Sequence, residues 1–138
     1  MKAVYWLIGI VLGVPALVLL GGYAASELGG EVVTLDRAEL NGEVSQVRIW
    51  IVDKGDLSWI EHGAAESFWI THLSESTNVV LRREGRTTNY VGTPDRSSHD
   101  LYHQLRSEKY GWADQVVALM GASAADCQGV PIRLQPIK

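Results

Sequence analysis

The sequence predicts an α+β fold: a small antiparallel β-barrel with two short helices, preceded by one N-terminal transmembrane helix. Three observations point there. The chain opens on an apolar run without a charged side chain. Behind it, strand-like segments follow one another in pairs across tight Gly-containing turns, which imposes antiparallel pairing. Two stretches of helical period then precede a last strand-like segment. The 138 residues and formal net charge of −4 describe one small domain behind the apolar run. No basic stripe is present to neutralise phosphates, which argues against a nucleic-acid partner. Five Trp and five Tyr stand against one Phe; their polar handles suit cofactor pockets, interfaces and membrane surfaces. The single cysteine, Cys127, excludes an intrachain disulfide and a cysteine-built metal cage, and reads as a free buried thiol.

The apolar run, Ala3 to Ser26, is long enough for a bilayer-spanning helix, which needs about 20 residues. Tyr5, Trp6 and Tyr23 lie near its ends, where interfacial aromatics belong, and Pro15 is tolerable in a membrane helix. The competing reading is a cleaved signal peptide, with Lys2 as a thin n-region and Gly22-Tyr23-Ala24 as the cleavage site. The length favours a retained anchor over residues 1–28. Lys2 before the span against Arg37 after it places the N-terminus inside and the domain on the outer side of a cell membrane.

Residues 29–45 read as a short strand, Glu31 to Asp36, and a polar link; the barrel domain is expected over 46–138. In the strand Gln46 to Asp53, Val47, Ile49 and Ile51 alternate with Arg48, Trp50 and Val52, so both faces look at least half buried, as in a barrel. The Gly55 turn leads into "LSWIEH", and a second hairpin turns at Glu84-Gly85. Thr93-Pro94-Asp95 reads as a helix start, with Thr93 as N-cap and Pro94 in the first position. Leu101 and Leu105 lie one turn apart in the first helix, Gly111 ends it, and Trp112, Val116 and Met120 mark one side of the second. "VPIRLQPI" closes the barrel.

The stretch "HGAAESFWITHL", His62 to Leu73, is the first candidate site. Gly63 permits close backbone approach, Ser67 can cap the following helix and donate to a phosphate, and His62 and His72 can add hydrogen bonds or charge. Trp69 either stacks on a planar ring or fills the core. The competing reading is an ordinary capped corner, and Glu66 favours it, because a carboxylate repels a phosphate. A second candidate, "HDLYH", sets His99 and His103 on one helix face in the spacing of a zinc motif. Asp100 replaces the usual Glu and no third ligand is evident, so a solvated helix face and no metal are expected. Arg82, Arg83 and Arg86, with Arg48 and Arg133, are the third set; arginine forks suit phosphates, but sheet edges carry such charges routinely. "YGWAD" (Tyr110 to Asp114) reads as packing at a helix–helix corner. No catalytic residue is identified.

The segments "VRIWIVDKGDLSWIEHG", "FWITHL", "NVVLRREGR", "EKYGWAD" and "IRLQP", in that order, resemble the deazaflavin-dependent nitroreductase family, a branch of the flavin-binding split β-barrels that includes pyridoxamine-phosphate-oxidase-like proteins. The resemblance spans about Gln46 to Ile137. It implies a split barrel, often a homodimer, that binds a flavin or deazaflavin and passes hydride to a nitro compound or quinone. It places the turn after Leu57–His62 near the cofactor's phosphate tail, and His72 in "WITHL" where the family commonly has Asn. His62, Gly63, Ser67, Trp69 and His72 are therefore the expected cofactor-binding residues. The family's upstream Gly-Arg-x-Ser/Thr-Gly loop has no counterpart between Glu31 and Gln46. Two readings follow: a membrane-anchored flavin-type oxidoreductase, or a non-catalytic accessory subunit of a membrane complex, for which Gly9 and Gly13 would allow close helix contact.

Overall fold

Six strands close into an antiparallel barrel in the order β1-β2-β3-β6-β5-β4. The computed structural model describes residues 11, 13–24, 29–73, 78–119 and 124–137. The strands are β1 (Val32–Ala38), β2 (Val44–Lys54), β3 (Leu57–Ala64), β4 (Asn78–Arg83), β5 (Arg86–Pro94) and β6 (Gly129–Pro136). Helix α1 (Phe68–His72) follows β3, while a 3-10 turn (Arg96–Ser98), α2 (His99–Tyr110) and α3 (Trp112–Val117) lie between β5 and β6. The ring closes where β1 pairs with β4, Leu35 opposite Leu81. The small antiparallel barrel expected from the sequence is thus the one formed.

Alternation along the strands builds two cores. Val33, Leu35, Ile51, Ile60, Val79, Leu81, Ile132 and Leu134 point inward, and α1 adds Trp69, Ile70 and Leu73 to the same interior. The other parity of β2 and β3 presents Trp50, Val52 and Trp59 outward, where Tyr102 and Tyr110 of α2 and Ala113 of α3 cover them. Tyr110 stacks on Trp50 with ring centroids 4.4 Å apart. Its hydroxyl accepts from the Ile51 amide at 3.1 Å and lies 2.6 Å from the Ile51 carbonyl. The β4–β5 hairpin turns on Glu84 and Gly85, both at positive φ, as a two-residue turn between right-twisted strands requires.

Three expectations change. Thr93 and Pro94 do not start a helix: they pair with Arg133 and Ile132 at the end of β5. Cross-strand pairing outweighs the local helix-start chemistry, and the turn begins after Asp95, whose carboxylate accepts the Ser97 and Ser98 hydroxyls. Trp112 is 62% exposed, and Ala113 is the buried residue of that helix. The expected polar link is shortened at both ends, since β1 and β2 pair from Val32 opposite Trp50 to Ala38 opposite Val44, and only residues 39–43 remain as the turn between them. The expected membrane segment falls in large part outside the described residues. Residues 13–24 are helical, and among the described residues no helix is long and apolar enough to cross a membrane.

A charged lattice ties α2 and β4 to β2. Arg83 donates to Glu31 at 2.5 and 2.9 Å and to both Asp53 oxygens at 2.9 Å. Lys109 donates to Glu31 at 2.7 Å, to Asp53 at 3.1 Å and to the Ile51 carbonyl at 2.8 Å. Burial alone would raise both carboxyls, but hydrogen bonds outweigh it and hold them below the ordinary range: from Arg83 and then Lys109 on Glu31, and from Arg83, Ser58 and then Lys109 on Asp53. Unfolded Asp and Glu titrate near ~3.9 and ~4.3. The lattice's stabilisation is therefore complete above those values and is lost as pH falls through the lower folded ones. The urea midpoint of the wild type should fall below about pH 4. Arg83→Met should lower it at pH 7 and flatten the acid limb, with the gap narrowing in high salt. An Arg83→Met profile parallel to that of the wild type would refute this account.

Candidate functional site

Two clefts flank β3 on opposite faces. The first contains most of the sequence-predicted set. Arg37, Glu39, His62, Gly63, Ser67, Phe68 and Trp69 line a cavity of about 200 Å³. Arg37 Nη1 donates to His62 Nε2 at 2.6 Å and Arg37 Nε donates to Glu39 at 2.8 Å. A guanidinium only donates, so His62 accepts through Nε2 and carries its proton on Nδ1. Burial, then the Arg37 charge, pushes the His62 imidazole below its ordinary pKa, which fits that neutral acceptor.

The remaining predicted residues divide. Gly63 takes φ +95° in the irregularity where β3 slips register against β6 between Glu61 and Ala64. Ser67 occupies the N-cap position of α1 without a side-chain cap bond; its hydroxyl donates instead to the Ala64 carbonyl at 2.7 Å. Trp69 is 6% exposed and belongs to the barrel interior, so it fills the core. His72 stacks on Phe68 at 5.3 Å between centroids and is not among the residues lining the cleft. The arginine set is occupied elsewhere: Arg83 in the lattice with Glu31 and Asp53, and Arg82 on Asp36 at 3.1 Å. Arg48 and Arg133 are exposed on the outer face. Sequence reasoning missed Arg37, which sits in the stretch expected to begin a polar link and whose partner His62 lies far along the chain.

The second cleft lies under α2. Glu61 follows Trp59 on the outward face of β3, with its side chain 6% exposed. His103 is 7% exposed, so the expectation of a solvated "HDLYH" face is overturned: the helix turns its imidazoles inward onto the barrel. Glu61 Oε2 lies 3.5 Å from His103 Nε2 and accepts from Cys127 Sγ at 3.3 Å. Its Oε1 lies 3.9 Å from His99 Nε2. Arg106 approaches Glu61 at 4.0 Å but is bound to Asp114 at 2.6 Å. Burial raises the Glu61 carboxyl and the Cys127 thiol and pushes His103 down to about 4. A Cβ on Gly129 would meet Glu61 Cγ at 2.7 Å, so only glycine lets β6 pass this close. Cavities of about 270 Å³, touching His99 and Cys127, and about 200 Å³, touching Glu61 and Arg106, adjoin the cluster.

The Arg37–His62 contact yields a measurable shift. In an NMR titration His62 should titrate below the ordinary value of about 6.5. Arg37→Ala should move it upward without full recovery, because burial is the larger cause. An unmoved His62 in that variant contradicts the contact.

No family model matches the chain, and no curated protein matches it in sequence. Solved structures are nevertheless similar to it. A conserved hypothetical protein from Mycobacterium tuberculosis superposes with a TM-score of 0.56 at 14% identity, covering 84% of this chain and 79% of that one. A protein assigned as a pyridoxamine 5′-phosphate oxidase from Listeria innocua gives 0.52 at 11%, covering 84% and 90%. A protein assigned to 5-nitroimidazole antibiotic resistance from Bacteroides thetaiotaomicron gives 0.50 at 9%, covering 79% and 74%. At these identities the likeness shows the fold: the domain is a split β-barrel of the kind these proteins share.

Proposed function

We propose that the chain is a membrane-tethered split-barrel protein that binds a flavin or deazaflavin by its anionic tail and serves hydride transfer to a quinone- or nitro-type acceptor. The observation that carries the reading is Arg37 in the cleft at the turn after β3. Its guanidinium is the one group there suited to a phosphate fork. A neutral His62 keeps the arginine aimed, and Gly63 leaves the main chain bare beside it. A flavin, when bound, supplies the redox chemistry, and the protein's part is to hold and orient it. A volume of about 200 Å³ suits the tail alone, since whole ligand pockets run to about 300–1,000 Å³. The ring therefore needs further surface, and a second copy in a homodimer meets that need. Phe68, 38% exposed at the cleft edge, is the aromatic placed to flank it. The names of the oxidase-like and nitroimidazole-resistance structures support the same chemistry.

The tether rests on residues 13–24. Leu17, Val18, Leu19 and Leu20 are each at least half exposed, and four consecutive helical positions face every side. A helix apolar all round belongs in lipid. The balance of Lys2 before the span and Arg37 after it sets the domain on the outer side. One observation favours the second reading, a non-catalytic subunit of a membrane complex: Glu39 already neutralises Arg37.

Protein purified in detergent should carry a flavin or deazaflavin by absorbance and mass spectrometry. Arg37→Ala should weaken its retention about ten- to a hundredfold, the worth of a charged hydrogen bond. Protein that stays empty when offered flavins and co-purifies with a membrane complex overturns the enzymatic reading. The chain should resist alkaline carbonate extraction from membranes and lose that resistance without residues 1–28. A reporter fused after Lys138 that works only in the cytoplasm contradicts the outer placement.

A further inference from the structure

The cluster under α2 has no part in that reading, and its geometry is that of an incomplete coordination shell. Among the described residues, one ligand atom each from Glu61, His99, His103 and Cys127 lies within 4.8 Å of all the others. Three of these groups present buried atoms with no hydrogen-bond partner: Glu61 Oε1, His99 Nε2 and His103 Nε2. An ordinary His–Glu pair would close to hydrogen-bond distance, yet these stand 3.5 and 3.9 Å apart. Tetrahedral zinc, with bonds of about 2.0–2.3 Å, spaces its ligands about 3.3–3.8 Å apart.

We propose that Glu61, His99, His103 and Cys127 bind a divalent transition-metal ion of the zinc class. Two imidazole nitrogens, a thiolate and a carboxylate oxygen are a donor set for zinc and not for magnesium or calcium. The thiolate and carboxylate balance the dication, which matters in a site where Arg106 already stands 4.0 Å from Glu61. Arg106 is itself answered by Asp114. Asp100 Oδ1 lies 3.5 Å from His99 Nδ1, the outer partner that turns Nε2 toward a metal. The Gly129 amide donates to Cys127 Sγ at 3.4 Å, a bond that a metal-bound thiolate would keep. Entry runs through the cavity of about 270 Å³ that His99 and Cys127 line.

The test uses the full chain in detergent, stripped with a chelator, and cobalt(II) as the probe. One ion per chain should give the strong visible bands of tetrahedral cobalt and a near-ultraviolet thiolate-to-cobalt band, and zinc(II) should bleach both. Cys127→Ser should abolish the charge-transfer band. His103→Ala should weaken cobalt binding more than about tenfold, and His72→Ala should leave it unchanged. Zinc should also raise the Tm of the wild type and not that of His103→Ala, a readout available even where a variant folds less well by circular dichroism. No cobalt bands and no zinc-dependent Tm rise in the wild type overturn the site, as does a cobalt spectrum unchanged in both Cys127→Ser and His103→Ala. Flavin content measured on the same samples reports on the other cleft, so the two readings fail separately.

Discussion

The two-residue alternation of β3 inside a closed ring is the constraint on which the rest depends. Ile60 belongs to the barrel interior, and Trp59 belongs to the layer beneath α2. Glu61 and His62 inherit those opposite faces. One therefore meets His99, His103 and Cys127, and the other meets Arg37 from β1. Two clefts with unlike linings arise from adjacent residues because a strand cannot turn both side chains the same way. The ring makes this binding: β3 is held by β2 on one side and by β6 on the other, so a one-residue slip would shift both ladders and turn Glu61 into the barrel interior and Ile60 out of it.

The second layer explains why so small a barrel carries so much aromatic surface. β2 is apolar on both faces because one face fills the barrel and the other is covered by α2 and α3. Burying a large apolar side chain contributes about 1.5–3 kcal/mol, so Trp50, Trp59, Tyr102 and Tyr110 outweigh any single ion pair on the surface. The Glu31–Arg83–Asp53–Lys109 lattice, with side chains a quarter to a third exposed, is better read as a positional device. It pins the end of α2 to β2 and so sets the height at which the first turn of the helix meets Glu61.

What could be read in the sequence was what short-range periodicity encodes. The β2 alternation, the Gly55 and Glu84-Gly85 turns and the end of α2 at Gly111 depend on neighbours in the chain. The contents of the clefts depend on tertiary distance. "HDLYH" has zinc spacing, but the sequence does not show that Glu61 lies 3.5 Å from His103, nor that Cys127, 66 residues from Glu61, reaches its carboxylate. Gly129 was the nearest signal, a glycine at the start of a strand, where close backbone approach is a standing explanation. The sequence does not show that Arg83 is engaged by two carboxylates, because its acidic partners lie 52 and 30 residues away. Ser67 reached the expected N-cap position, but the turn brought Ala64 closer than any amide of α1.

The two clefts differ most in how complete they are. In the first, Arg37 has Glu39 and His62 and Ser67 has Ala64, so a ligand there must displace bonds already made, although Trp69 Nε1 is buried without a partner. In the second, Glu61 Oε1, His99 Nε2 and His103 Nε2 are buried without a hydrogen-bond partner, and each such atom costs about 1–3 kcal/mol while unsatisfied. The Glu61 side chain already packs close against Gly129, where a Cβ would meet its Cγ at 2.7 Å. Helix α2 cannot retreat, because Tyr110 and Lys109 fix its far end to the Ile51 backbone. The fold thus holds the cluster at a separation that suits a small shared cation better than direct contact among its members.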